Sequence, residues 1–143
     1  MVSLYKIIDQ VVKLMRPAFE EKGVGLEVVI GQDLPKIEGD PLRLEQVLQN
    51  LMLNALQATE PGGSVTIGMD HTHFWVQDAG CGMTEELKSR LFTPFFTTKA
   101  QGTGLGLSTV KKIADAHRAE LSVKSEPGLG TTIDISFPTR RAA

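Results

Sequence analysis

Three glycines at alternate positions, Gly102, Gly104 and Gly106, run into an apolar helical pattern that extends from about Leu105 to His117. Glycine disfavours a helix, so several glycines at a helix start indicate that the main chain there must be flexible or closely approachable. The run is not the dinucleotide-binding fingerprint, because position 107 is leucine, and the chain has no Gly-Lys-Ser/Thr of a P-loop. It is either a hinge or an anion site, since free N–H groups and the dipole at a helix N-terminus attract negative charge.

The charges around this run favour an anion. From Leu87 to Ala114 the chain has no acidic residue but has five cationic ones, which are Lys88, Arg90, Lys99, Lys111 and Lys112. A solvated basic face is the alternative interpretation of the same charges. The whole chain carries a net charge of −2, which argues against a broad nucleic-acid surface.

The length and overall composition of the chain predict one globular domain spanning residues 1–143. The single cysteine, Cys81, excludes an internal disulfide, and no apolar run approaches the roughly 20 residues of a membrane span. We therefore expect a cytoplasmic domain without membrane contact, although a longer parent protein could be tethered to a membrane.

Hydrophobic periodicity and turn residues predict an α+β fold. Helices are expected at 3–22, 40–59 and 105–117, with a shorter one at 85–91, and Pro17 is expected to kink the first or split off its last turn. Strands are expected at 26–30, 35–39, 65–69, 74–76, 121–123 and 131–137. Together these elements predict a two-layer sandwich, with helices packed on one face of a mixed sheet.

Two features outside the glycine run have polar chemistry. Asn50 and Asn54 are four residues apart in the 40–59 helix, so they share a face. Amide oxygens suit Mg²⁺, but hydrogen bonds to backbone or water are the alternative role.

Asp78 follows Phe74 and Val76 at alternating strand positions, which places its carboxylate on the covered face. Its partner there is an adenine amino group or a backbone N–H of the next turn.

Five segments in order resemble the ATP-binding catalytic domain of bacterial sensor histidine kinases, in the superfamily with gyrase, Hsp90 and MutL. Residues 40–59 resemble the N box, 78–83 the first glycine box, 91–99 the F box, 102–107 the second glycine box and 127–132 the last. The Leu-Asn-Ala-Leu-Gln-Ala and Phe-Phe-Thr-Thr-Lys runs are most similar to the nitrogen-regulation-type kinases. The resemblance implies the two-layer Bergerat-type fold.

The resemblance also implies roles for individual residues. Asn54 would coordinate Mg²⁺, with Asn50 supporting the phosphates or the metal. Asp78 would accept from the adenine amino group, and Thr132 would help to hold the adenine end. The other positions implied to contact ATP are Gly80, Gly82, Met83, Lys99, Gly102, Thr103, Gly104, Leu105, Gly106 and Leu107.

The resemblance implies that ATP waits for a nucleophile from elsewhere. Hydrolytic relatives have glutamate at position 50, whereas Asn50 cannot act as a base. In the family the nucleophile is a histidine on a separate helical-hairpin dimerisation domain, which later serves a response regulator. In the family's acceptor pattern the histidine is followed by Glu or Asp and then by Arg. None of His71, His73 and His117 follows this pattern, so we expect the acceptor to be absent from this chain. A non-catalytic nucleotide switch and an anti-sigma-type serine kinase are the alternatives.

Overall fold

The computed structural model describes residues 3–31, 36–37, 39–70, 73–80, 106–126 and 128–138. The helices are α1 (Leu4–Lys22), α2 (Pro41–Ala58) and α3 (Gly106–Ala116). The strands are β1 (Gly25–Ile30), β2 (Ser64–Asp70), β3 (His73–Asp78), β4 (Glu120–Glu126) and β5 (Gly130–Ser136). The short helix expected at 85–91 lies outside the described residues.

The five strands form one mixed sheet in the order β1-β2-β3-β5-β4. β1 and β2 are parallel, with Gly25 opposite Ser64, and α2 lies between them in sequence. The other three pairings are antiparallel. α2 packs against α1, α3 and β3, which confirms the predicted α+β sandwich. Of the strand expected at 35–39, the described part contains only an isolated β-bridge at Ile37.

Alternation along the strands builds the core between the helices and one face of the sheet. Every second residue of β2 is fully buried there, and the helices contribute matching apolar stripes. The largest fully buried side chains are Leu4, Val11, Phe19, Leu44, Val47, Leu48, Leu51, Met52, Val65, Ile67, Met69 and Ile135. Within the described residues, no helix combines the length and apolar character that a membrane span needs.

The opposite face of the sheet is polar and partly exposed. Trp75 lies over Gly68 of β2, where a Cβ would overlap the indole ring. Beside it, the Nε2 atom of His73 lies 3.0 Å from Oδ1 of Asp134. Asp134 is therefore on the face that the helices leave open, opposite Trp75 in the strand register.

α1 is one continuous helix, so the prediction that Pro17 would split off its last turn is wrong. Pro17 lies on the exposed side of α1, whereas Phe19 in the last turn is 0% exposed. Gly23 then ends the helix at φ 79°, and the Val24 N–H returns to the carbonyl of Phe19. Burial of Phe19 and this cap hold the last turn, although Pro17 has no backbone N–H to donate.

Hydrogen bonds from other elements fix both ends of α2. At its start, Oδ1 of Asp40 accepts from the N–H groups of Leu42 and Arg43, the N-cap that the sequence predicts. The Asp40 N–H donates to Nε2 of His117, whose Nδ1 donates to the Ile113 carbonyl in α3. At the other end, the Lys22 ammonium donates to the carbonyl of Leu56 at 2.7 Å. The helix that carries both asparagines is thus tied to α1 and α3.

Candidate functional site

Asp78 ends β3 and is only 7% exposed, on the same face as Phe74 and Val76. Its Oδ1 accepts from the Gly80 N–H at 2.8 Å and from the Thr131 N–H at 3.3 Å. The predicted face and the alternative of a backbone partner are both confirmed. A carboxylate offers about four lone-pair sites and, when ionised, only accepts hydrogen bonds.

Two glycines allow this carboxylate to sit between α2 and the sheet. A Cβ on Gly80 would overlap the carbonyl oxygen of Ala58 at the end of α2. Gly130 has φ 98°, and a Cβ there would overlap the carbonyl oxygen of Asp78. The turn after β3 is therefore pressed between the end of α2 and the start of β5, and larger residues at either glycine would displace it.

Asn50 and Asn54 lie on α2 one turn apart, and both are half-buried and interact with the rest of the fold. Asn54 is one turn before Ala58, about 6 Å along the helix axis. Because Gly80 packs on Ala58, the asparagines and the Asp78 turn belong to one corner of the molecule.

The donor chemistry at this corner fits a metal ion that is held mainly by phosphate and water and only partly by the protein. Mg²⁺ typically takes one or two protein oxygens and completes its shell with phosphate and water. The described residues contain no group of three or more His, Cys, Asp or Glu side chains that could cage an ion. An amide oxygen of Asn54 fits such a partial shell.

Only the last glycine of the run, Gly106, lies within the described residues. α3 begins at Gly106, followed by half-buried Leu107 and buried Ser108, and α3 packs on α2. Two of the five cations lie on its exposed face, where Lys111 pairs with Asp115 at 2.8 Å. For these two, the alternative of a solvated basic face is the better description. The other predicted site residues lie outside the described part of the chain: Gly82, Met83, Lys99, Gly102, Thr103, Gly104 and Leu105.

Thr132 lines the same concavity as Asp78 but lies on the other face of the sheet, and its predicted adenine contact stays a prediction. In the β3–β5 register Asp78 is opposite Thr131, whereas Thr132 is opposite exposed Gln77. Successive side chains of a strand point to opposite faces, so Thr132 faces away from the buried carboxylate. The strand pattern contained this signal, because Thr131 shares its parity with the core residues Ile133 and Ile135.

Sequence reasoning also missed a hydroxyl pair next to Asp78. Ser125 and Thr131 are opposite each other in β4 and β5, and their hydroxyl oxygens are 2.8 Å apart. Both residues line a concavity of about 460 Å³ at the strand ends, as Asp78 does. Alternation with Leu121 and Val123 places Ser125 on the covered face and Ser122 on the other, but only the pairing register reveals that Ser125 lies opposite Thr131.

Comparison with known families places most of the chain in one of them. The profile described as "Histidine kinase-, DNA gyrase B-, and HSP90-like ATPase" matches residues 39–141. That range contains α2, Asp78 and the whole of the glycine run.

The curated relatives are kinases of bacterial signalling. Sensor histidine kinase ZraS of Salmonella typhi is 37% identical over 96% of this chain, and sporulation kinase E of Bacillus subtilis is 35% identical over 96%. The chain spans only 30% and 19% of the lengths of these two proteins.

Two solved structures share the fold over nearly the whole chain. The nucleotide-free catalytic domain of histidine kinase ThkA superposes with a TM-score of 0.84 at 33% identity, covering 95% of this chain and 92% of that one. Full-length ShkA in complex with AMPPNP gives 0.86 at 31% identity, covering 99% of this chain and 31% of that one.

Proposed function

Because the chain belongs to the family of histidine kinase-, DNA gyrase B- and HSP90-like ATPases, we propose that it is the ATP-binding catalytic domain of a sensor histidine kinase. It binds Mg²⁺-ATP and transfers the γ-phosphate to a histidine on a separate dimerisation domain. The observation that carries this proposal is the buried Asp78 carboxylate, held by two backbone donors beside the asparagine helix.

Asp78 acts at the adenine end of the nucleotide. Its lone pairs accept from the exocyclic amino group, while Gly80 keeps the turn close to α2. Thr131, rather than Thr132, stands next to this carboxylate and is the threonine that we assign to the adenine end. Gly82 and Met83 remain assigned to the same end from the sequence.

Asn54 contributes an amide oxygen to Mg²⁺, and Asn50 supports the phosphates or the metal shell. Bound Mg²⁺ neutralises phosphate charge during transfer, and the protein's task is mainly to position the groups. The amide of Asn50 cannot take a proton from water, so nothing at this position activates hydrolysis. Lys99 and the run of Gly102, Thr103, Gly104, Leu105, Gly106 and Leu107 are assigned to the phosphates, at the entrance of α3.

The phosphoacceptor histidine comes from another domain. His73 is paired with Asp134 on the open face, and His117 bridges α2 and α3 through both ring nitrogens. Both are therefore committed to structural contacts.

A cytoplasmic setting and a response regulator as the final phosphate acceptor follow from the same assignment. The nearer likeness to nitrogen-regulation-type kinases remains a prediction, since the relatives reported above are named for other systems.

The substitution Asp78→Asn tests the proposal by calorimetric titration with Mg²⁺-ATP. The new amide keeps an oxygen for the Gly80 and Thr131 N–H groups but replaces the second acceptor with a donor. We expect at least about a hundredfold loss of ATP affinity with the fold retained, because a site that must accept a hydrogen bond would then oppose it.

Asp134→Asn is the matched control, because Asp134 is a sheet carboxylate on the opposite face. It should leave ATP affinity unchanged. Near-normal binding by Asp78→Asn would remove Asp78 from the adenine site.

A further inference from the structure

Ser125 and Thr131 form a buried hydroxyl pair where β4 meets β5. Each residue is 7% exposed, and their Oγ and Oγ1 atoms are 2.8 Å apart. The Ser125 hydroxyl also lies 3.1 Å from the carbonyl oxygen of Gly130, to which it donates. Ser125 therefore has two hydrogen-bond partners within the hairpin.

The number of protons sets the direction of these bonds. A hydroxyl group donates once and accepts through two lone pairs. Both bonds form together only when Ser125 donates to Gly130 and Thr131 donates to Ser125. In that arrangement the proton of Thr131 is already used, so its oxygen presents only lone pairs to any third group.

Thr131 brings this acceptor next to a second one. Its backbone N–H donates to Oδ1 of Asp78, and both residues line the same concavity of about 460 Å³. An ionised carboxylate also accepts only. The two side chains therefore present acceptors on the covered face, whereas the donors of Gln77, Lys124 and Thr132 belong to the open face of the sheet beside the same concavity.

We infer that Ser125 is a positioning residue that holds the Thr131 hydroxyl as an acceptor and so makes the site reject purines with an oxo group at position 6. The inference rests on the proposed function, in which the six-position of a purine nucleotide faces Asp78. An amino group donates to these acceptors, whereas an oxo group has no proton to donate and its lone pairs are repelled by theirs. Ser125 acts through Thr131.

The test compares ATP with inosine triphosphate, which carries an oxo group at position 6 in place of the amino group. In Ser125→Ala the Thr131 hydroxyl loses its acceptor and can turn to donate to the oxo group. We expect the ratio of the two dissociation constants, inosine triphosphate over ATP, to fall about tenfold, the effect of roughly one hydrogen bond. Calorimetric titration of each nucleotide gives the ratio.

Two further variants separate positioning from a general loss of structure. Ser122→Ala removes an exposed serine from the same strand and should leave the ratio at the wild-type value. Ser125→Thr keeps the hydroxyl and should keep the discrimination. If Ser125→Ala weakens both nucleotides by the same factor, so that the ratio is unchanged, Ser125 is only structural and the inference is wrong.

A second route covers a Ser125→Ala protein that does not fold. Thr131→Val removes the acceptor with little change of shape, and the same ratio should fall, whereas an unchanged ratio overturns the inference. Wild-type protein that fails to bind ATP would overturn the proposed function as well. Wild-type protein that binds ATP, with variants that keep the ratio, overturns this inference alone.

Discussion

At the scale of single residues, Asn54 has the role most open to a direct test. We expect Asn54→Ala to reduce the gain in ATP affinity that Mg²⁺ produces by about tenfold, because an amide oxygen leaves the metal shell. Alanine is the better helix former, so α2 should remain intact. Calorimetric titration with ATP over a range of MgCl₂ concentrations measures the effect. Gln57→Ala, at an exposed position of α2, is the control, and an unchanged magnesium dependence in Asn54→Ala would exclude metal coordination.

The residue scale also shows what the sequence could predict about the site. The position of Asp78 followed from alternation with Phe74 and Val76, because a strand end on a covered face buries whatever it carries. The same rule assigns Thr131 to that face and Thr132 to the open one. Alternation with Leu121 and Val123 also places Ser125 on the covered face, but its pairing with Thr131 could not be found in this way, because it depends on which residue of another strand lies opposite.

At the scale of elements, helix ends were the most predictable features, since caps act locally. Asp40 with Pro41 fixed the start of α2, and Gly23 fixed the end of α1. The last turn of α1 is not split off at Pro17, because the burial of Phe19 and the Gly23 cap outweigh one missing backbone donor.

The end of α3 uses the same cap as α1 without a glycine. The Ala119 N–H returns to the Ala114 carbonyl, the Arg118 N–H to that of Asp115, and Arg118 has φ 56°. A left-handed backbone costs an L-residue roughly 1–2 kcal/mol, and glycine avoids this. We therefore expect Arg118→Gly to raise the free energy of unfolding by about 1 kcal/mol in urea denaturation.

Gly23→Ala is the reciprocal variant at the equivalent position after α1, and it should lower the free energy of unfolding by about the same amount. If Arg118→Gly left stability unchanged or lowered it, contacts of the arginine side chain would outweigh the backbone term.

At the scale of the whole molecule, the fold class was predictable but the strand order was not. Periodicity identified helices and strands and required a covered face, which gives a two-layer sandwich. The order β1-β2-β3-β5-β4 depends on pairings between distant segments, including a parallel β1–β2 pair on either side of α2. In that arrangement the end of α2 meets the turn after β3, where Gly80 packs on Ala58.

Phosphotransfer measures most directly what happens to ATP at this site. The chain is mixed with a separately purified, histidine-bearing dimerisation domain of a sensor kinase and with Mg²⁺ and ATP labelled at the γ-phosphate. We predict acid-labile label on the acceptor domain, none when its histidine is replaced, and none on this chain when it is incubated alone. Release of inorganic phosphate without labelling of the acceptor, or acid-labile label on this chain alone, would contradict the account.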